Sequence, residues 1–216
     1  MTNKLNLGIL ISGSGNTLQN FIDQIETEKL PATIQIVISS KPDVAGLNRA
    51  RKHNLRTTVI PYANYTSIDA FSRAITDELD KYPIDLITLA GFVHFYNIPE
   101  KYHGKVMNIH PGLIPAFSGH HYYGRKVHEA VITYGAKVSG CTVHFADNIY
   151  DNGPIIIQRA VPVHDDDTPD TLAERVFQAE CEAYPEAIRL FAEGRLKIEG
   201  RKVRIIKSNQ VCGFNQ

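Results

Sequence analysis

Asn108-Ile109-His110-Pro111 and, far along the chain, Asp151-Asn152-Gly153-Pro154 place an amide donor, an imidazole and a carboxylate at the ends of two expected strands. Residues two apart on a strand point the same way, so Asn108 and His110 can face one space while Ile109 points back into the core. An Asn side chain can donate to an oxyanion, a His can move protons near neutral pH, and an Asp can orient or charge that His. The set suits acyl transfer without a covalent intermediate. A strand end capped by polar side chains would show the same residues.

Ser12-Gly13-Ser14-Gly15-Asn16-Thr17 is the second segment with chemical potential. Glycines let the backbone approach a ligand closely, and the N–H groups at a helix start attract anions. Asn16 and Thr17 add side-chain donors. The third glycine of a dinucleotide-type G-x-G-x-x-G is replaced by Leu18, and Ser39-Ser40-Lys41 stands where an acid should close the second strand. The segment also lacks the Lys-Ser or Lys-Thr pair of a P-loop. A single phosphate suits it better than NAD or ATP. The alternative is a turn whose glycines merely satisfy backbone geometry.

Alternating strands and helices position these groups. Leu5 to Ser12 is a nearly continuous apolar run, as expected of a strand buried on both faces. Leu18, Phe21, Ile22 and Ile25 follow at helical spacing. Thr33 to Ser40 reads as a second strand, and Asp43 as the cap of a helix through Ala45, Leu47, Ala50 and His53. Thr57 to Ile60 is a short third strand. Ser67 opens a helix with Phe71, Ile75 and Leu79 on one face. Asp85 to Ala90 and Val106 to His110 are strands four and five. This order implies a parallel sheet covered by helices on both faces. Pro111 to Tyr123 is a loop, and a helix through Val127, Ala130 and Val131 ends at Gly135. Ser139 to Ala146 and Pro154 to Val163 read as strands. Thr168-Pro169 starts a helix that runs to Glu193 with Gly194 as its stop. Lys197 to Ile206 reads as a hairpin. The expected class is α/β: a doubly wound, Rossmann-like, mostly parallel sheet with a long C-terminal helix and hairpin. Residues 1–206 are expected to form one domain, and 207–216 a loose tail.

The 216 residues suffice to bury roughly 70% of the unfolded chain's surface without a disulfide or metal. Apolar residues are 43% and charged residues 21%, as in a globular protein, and 23 basic residues balance 23 acidic ones. That neutrality argues against a dedicated nucleic-acid or membrane surface. Cys141, Cys181 and Cys212 form no CxxC pair, which speaks against a disulfide framework or a zinc site and for the cytoplasm. No signal peptide is expected at Met1-Thr2-Asn3-Lys4, and no apolar run is long enough to span a bilayer.

Nine histidines raise a metal hypothesis, but none forms HExxH or a tight ligand spacing, so no metal is expected. His144 alternates with Val143 and Phe145. It can face the same side as Asn108 and His110, or be a satisfied core histidine. Asp165-Asp166-Asp167 reads as a solvated loop whose charge suits the positive end of the following helix. Glu180, one turn from Tyr184, reads as a surface acid. Gly91 and Phe92-Val93-His94-Phe95-Tyr96 make an aromatic strand-to-loop junction that can either grip a flat ring or be ordinary core.

SGSGNTLQN, LAGF at Leu89 to Phe92, NIHPGLIP at Asn108 to Pro115, SGCTVHF at Ser139 to Phe145, YDNGPIIIQ at Tyr150 to Gln158 and CEAYP at Cys181 to Pro185 together carry a resemblance. The chain resembles the phosphoribosylglycinamide formyltransferases, folate-dependent enzymes of purine synthesis, from Ile9 to about Arg195. The resemblance implies that the amine of glycinamide ribonucleotide attacks the formyl carbon of 10-formyltetrahydrofolate. It matches Asn108 to the family's oxyanion donor, His110 to its general acid/base, and Asp151 to the Asp that raises the pKa of that His. Gly15, Asn16 and Thr17 match the phosphate cradle. Glu180, Pro111 and Gly91 match substrate-binding positions. Val93, His94, Phe95 and Tyr96, with Asn108, match the folate-binding set, largely through backbone groups. His144 is a candidate support for the catalytic set. Small-molecule substrates are implied, a homodimer is left open, and no metal, nucleic acid or membrane is called for.

The chain departs from this pattern at His94 and near Ile68, where the family often carries basic residues, and in the aromatic loop Phe117 to Arg125. Related chemistries include methionyl-tRNA formyltransferase, which has an additional tRNA-binding domain, formyltetrahydrofolate hydrolase, which has an additional regulatory domain, and sugar-nucleotide formyltransferases. A non-catalytic nucleotide-binding module would bind ligand without turnover.

Overall fold

A computed structural model describes residues 4–207. Met1, Thr2, Asn3, Cys212 and the expected tail from 208 onward lie outside the described residues. Backbone contacts divide the chain into two units, one of Met1–Asn108 with Asp147–Tyr150, the other of Ile109–Ala146 with Asp151–Gln216.

The first unit alternates β1 (Leu5–Ile11), α1 (Asn16–Glu26), β2 (Ala32–Ser39), α2 (Ala45–Lys52), β3 (Thr57–Val59), α3 (Ile68–Leu79), β4 (Leu86–Leu89) and β5 (Val106–His110), whose last two residues already belong to the second unit. The strands run β3-β2-β1-β4-β5, each parallel to its neighbour. The chain winds outward from β1 to β3 and then returns to the other side of β1. Crossovers of this kind are right-handed, so α1 and α2 cover one face and α3 the other. Leu7, Ile9, Leu10 and Ile11 have no exposed surface, as the unbroken apolar run requires. Gly8 lets α3 seat on β1, because a Cβ there would lie 2.6 Å from Leu79 Cδ2. The winding reverses between β1 and β4, and in open α/β sheets the carboxyl ends of the strands at such a point are the usual ligand position.

Ser67 caps α3 by accepting from Ala70 N–H, as its sequence position implies. Asp43 does not cap α2. It adopts a left-handed backbone with φ 53°, and Val44 takes the cap position without a side-chain bond. The Gly13 carbonyl accepts from Gly46 N–H at 3.0 Å instead, so a distant loop satisfies the first turn.

The second unit carries α4 (Arg125–Tyr134), β6 (Val138–Phe145), β7 (Ile155–Pro162), α5 (Pro169–Ala192), β8 (Leu196–Glu199) and β9 (Lys202–Ile205). β6 and β7 are antiparallel, β9 runs parallel to β7, and β8 closes the hairpin with β9. Gly135 ends α4 with φ 79°. Thr168 and Thr171 bond reciprocally at the start of α5, with Pro169 in the first turn, and Gly194 follows the helix with φ 65°. The architecture is the expected doubly wound, Rossmann-like α/β class with a long C-terminal helix and hairpin. Cys141 and Cys181 form no disulfide. Among the described residues no helix is long and apolar enough to cross a membrane.

Candidate active site

His110 ends β5 with 2% of its surface exposed. Its Nδ1 lies 3.4 Å from Asp151 Oδ2, and its Nε2 2.9 Å from the Phe117 carbonyl oxygen. Both ring nitrogens thus face acceptors. An imidazolium satisfies both; a neutral ring can donate to only one. Burial lowers the His110 pKa, the Asp151 charge and the Phe117 carbonyl push it back up, and burial prevails. Asp151 therefore acts in the direction implied by the sequence, but the net shift of His110 is downward.

Asp151 sits at φ 50°, with a side chain only 10% exposed. Its Oδ2 accepts from Gly119 N–H at 2.9 Å, and its Oδ1 lies 3.7 Å from His144 Nε2. Burial pushes the carboxyl up, but the His144 hydrogen bond, the His110 charge and the Gly119 N–H outweigh it and hold the group below its ordinary value. His144 is 2% exposed, and its Nδ1 lies 2.9 Å from the Phe145 carbonyl oxygen. The register of β6 against β7 shifts between Val143 and His144. His144 is buried, with its other ring nitrogen toward Asp151.

Several supporting residues escaped sequence reasoning. Thr142 Oγ1 donates to the Gly112 carbonyl at 2.7 Å and accepts from Ile114 N–H at 3.1 Å and Gln158 Nε2 at 3.0 Å. This buried network fixes the turn after His110. Thr142 and Gln158 lie within the SGCTVHF and YDNGPIIIQ segments, so the signal was present without its partner. His128 on α4 is 4% exposed, and its Nδ1 has no hydrogen-bond partner. Burial and the nearby His110 charge lower its pKa. Gly112 is a steric requirement: a Cβ there would stand 2.9 Å from His110 Nε2 and 3.2 Å from Val127 Cγ1. Gly112→Ala should therefore cut turnover about tenfold or more with little change in melting temperature, since an ill-placed group loses orders of magnitude. Steady-state kinetics beside a thermal melt check this, and unchanged turnover would refute the tight packing.

The glycine loop of the first unit is built for close approach. Gly15 has φ 70°, and a Cβ on it would meet Gly46 Cα at 2.5 Å. α1 starts at Asn16 without a side-chain cap, leaving its first N–H groups to a ligand or solvent. Asn16 is exposed and Thr17 half-buried. Arg49 on α2, also missed from sequence, donates from Nε to the Ser14 carbonyl at 3.0 Å and from Nη2 to Asn16 Oδ1 at 3.0 Å. It fixes a positive charge beside the helix start. Ser12 Oγ is 2.6 Å from Ser40 Oγ and accepts from Val93 N–H at 3.1 Å, joining three strand ends.

Gly91 has φ 72°, and Val93 is 41% exposed. His94 stacks on Tyr62 with ring centroids 4.3 Å apart, and burial followed by the Lys41 charge lowers its pKa. Phe95 packs against Tyr150 at 4.8 Å. Tyr96 is core, with its hydroxyl 2.9 Å from Thr76 Oγ1. Asn108 is half-buried and pairs with Leu89 of β4. In the second unit Pro111 is half-buried, and the cis peptide bond precedes Pro115. Glu180 is not the surface acid that its sequence setting suggests. It is half-buried on α5, burial raises its carboxyl to about 8, and its charge helps burial raise the Cys141 thiol. Among the described residues no group of three or more His, Cys, Asp or Glu could hold a metal ion.

Residues 5–188 match the formyl transferase family. The chain belongs to that family. A trifunctional purine biosynthetic protein adenosine-3 of Bos taurus is 42% identical over 197 residues, 90% of this chain but 19% of that protein. This member thus spans a small part of such multifunctional relatives. The phosphoribosylglycinamide formyltransferase of Escherichia coli (strain K12) is 37% identical over 196 residues, 90% of each chain. Among solved formyl transferase relatives, glycinamide ribonucleotide transformylase 1 from Symbiobacterium toebii has a TM-score of 0.89 at 42% identity, covering 96% of each chain.

Proposed function

We propose that this chain transfers a formyl group from 10-formyltetrahydrofolate to the amine of N1-(5-phospho-D-ribosyl)glycinamide, a step of purine synthesis in the cytoplasm. The observation that carries the reading is the buried His110–Asp151 pair at the end of β5 in a member of the formyl transferase family. Residues 1–206 act as one formyltransferase domain, since the family match runs through both units. Small molecules are its substrates, no metal takes part, and a homodimer is compatible with the reading.

A neutral amine attacks the formyl carbon without prior activation, so no serine or cysteine nucleophile is needed. The barrier lies in charge separation at the tetrahedral stage. Asn108 donates to the formyl oxygen as it becomes an oxyanion. His110, neutral because burial lowers its pKa, takes the proton that the amine sheds and delivers it to the leaving folate nitrogen. Asp151 accepts from the Nδ1–H of the transient imidazolium, while Nε2, released from the Phe117 carbonyl, carries the proton in transit. Gly15, Asn16 and Thr17, with Arg49 behind them, hold the phosphate. Glu180, Pro111 and Gly91 contact the ribonucleotide, and Val93 to Tyr96 grip the pterin.

The test is a coupled assay with purified protein, both substrates and a no-amine control. Formyl transfer that requires the amine supports the proposal, whereas folate release without it would mean hydrolysis. Replacing Asn16 and Thr17 with Ala should weaken ribonucleotide binding about tenfold, as expected for lost bonds to a charged group, with folate binding nearly unchanged. Isothermal titration of each substrate measures this, and equal weakening of both would remove the phosphate loop.

A further inference from the structure

Asn148 stands in Asp147–Tyr150, the segment that leads into Asp151. Its side-chain amide makes two hydrogen bonds to one residue. Oδ1 accepts from Ile98 N–H at 2.7 Å, and Nδ2 donates to the Ile98 carbonyl at 3.1 Å. The exchange imitates the double bond pair that an antiparallel strand neighbour would make.

Ile98 follows the aromatic stretch 93–96, and this stretch is itself anchored. The Tyr96 hydroxyl reaches Thr76, and Asn97 N–H donates to Ser72 Oγ at 2.8 Å, both partners on α3. Two residues beyond Asn148, the Tyr150 ring packs on Phe95. The segment is thus fastened at two points to a fixed support. The next residue, Asp151, has a left-handed backbone, a state that a non-glycine residue keeps only when its surroundings impose it.

We propose that Asn148 is a positioning residue: its amide clip, with the Tyr150–Phe95 contact, fixes the turn that delivers Asp151 and ties that turn to the stretch that binds the co-substrate. The identity of that ligand rests on the formyl-transfer reading; the clip does not. Asn suits the task because its amide offers a donor and an acceptor together. Asp keeps only the acceptor for Ile98 N–H, and Ala keeps neither.

The experiment compares full-length wild type, Asn148→Ala and Asn148→Asp by formyl-transfer kinetics, tetrahydrofolate affinity and hydrogen exchange at the Ile98 amide. In Asn148→Ala the Ile98 amide should exchange about tenfold faster, and KM for 10-formyltetrahydrofolate should rise about five- to tenfold, the scale of one or two lost hydrogen bonds. KM for the ribonucleotide should stay within about twofold by the same reasoning, and kcat should fall. Asn148→Asp should restore slow exchange at Ile98 and part of the folate affinity. Equal exchange in wild type and Asn148→Ala overturns the proposal. So does a parallel rise of both KM values with a lowered melting temperature, the mark of a merely structural role. A wild type that binds tetrahydrofolate but transfers no formyl group defeats the functional reading alone; the clip is then decided by exchange and tetrahydrofolate affinity.

Discussion

His110→Ala should lower formyl transfer about 10²–10⁴-fold, the usual worth of a positioned acid–base group. Circular dichroism should show the fold retained, so the loss reads as chemistry. Turnover within a few-fold of wild type would remove His110 from the mechanism. The pH profile sharpens the test. Burial prevails over Asp151 and the Phe117 carbonyl, so the rising limb of activity should have its midpoint below the ordinary imidazole value of about 6.5. Asp151→Asn removes one of the two upward influences, so its limb should move to still lower pH even as turnover falls. A limb that moves upward would contradict the balance described. Stability carries the same signature. An unfolded histidine takes up its proton near pH ~6.5 and the folded one only at lower pH, so the folded state loses stability as pH falls through that interval. Asp151 adds to the loss at lower pH: its depressed pKa contributes stability above the unfolded carboxylate value, and this vanishes as pH falls through the folded value. Urea midpoints of wild type and His110→Ala across this range should converge at acid pH.

Asn108→Ala should cost about 10²–10³-fold in kcat, as expected when an oxyanion donor is lost. The donor acts on charge that appears during the reaction, so KM for either substrate should move far less than kcat. Asn108→Asp should be no better, because a carboxylate cannot donate to an oxygen gaining negative charge. A mutant with unchanged kcat and a raised folate KM would make Asn108 a binding residue only.

Much of the frame is legible in the sequence because local physics dictates it. The run Leu5 to Ser12 is nearly continuous in apolar residues, as a strand covered on both sides should be. Thr168-Pro169 and Gly135 carry their cap geometry in their own residue types. Asn108 and His110 are two apart, and strand periodicity is enough to pair them. What the sequence hides depends on partners far along the chain. Asp43 has the right type for a cap, yet the carbonyl of Gly13 takes over that task. Arg49 looks like any exposed helical arginine until the Ser14 carbonyl is found beside it. Thr142 becomes a support only with Gly112, Ile114 and Gln158 around it. Glu180 reads as a surface acid because helical spacing does not reveal what covers that face. The direction of the His110 shift is a contest between burial and charge, and burial is a tertiary quantity.

The meeting of Gly15 with Gly46 also limits how this scaffold can be re-engineered. Gly15 accepts no methyl group without pushing α1 and α2 apart, because its Cβ would meet the Gly46 backbone at 2.5 Å and backbone cannot rotate aside; a Cβ on Gly46 would first meet Ile11 Cδ1 at 2.7 Å. Attempts to retune the loop for a sulfate, a carboxylate or a larger anion must therefore vary Ser14, Asn16 and Thr17, or the charge of Arg49. A library that also randomises Gly15 would spend its diversity on chains that cannot close the crossover.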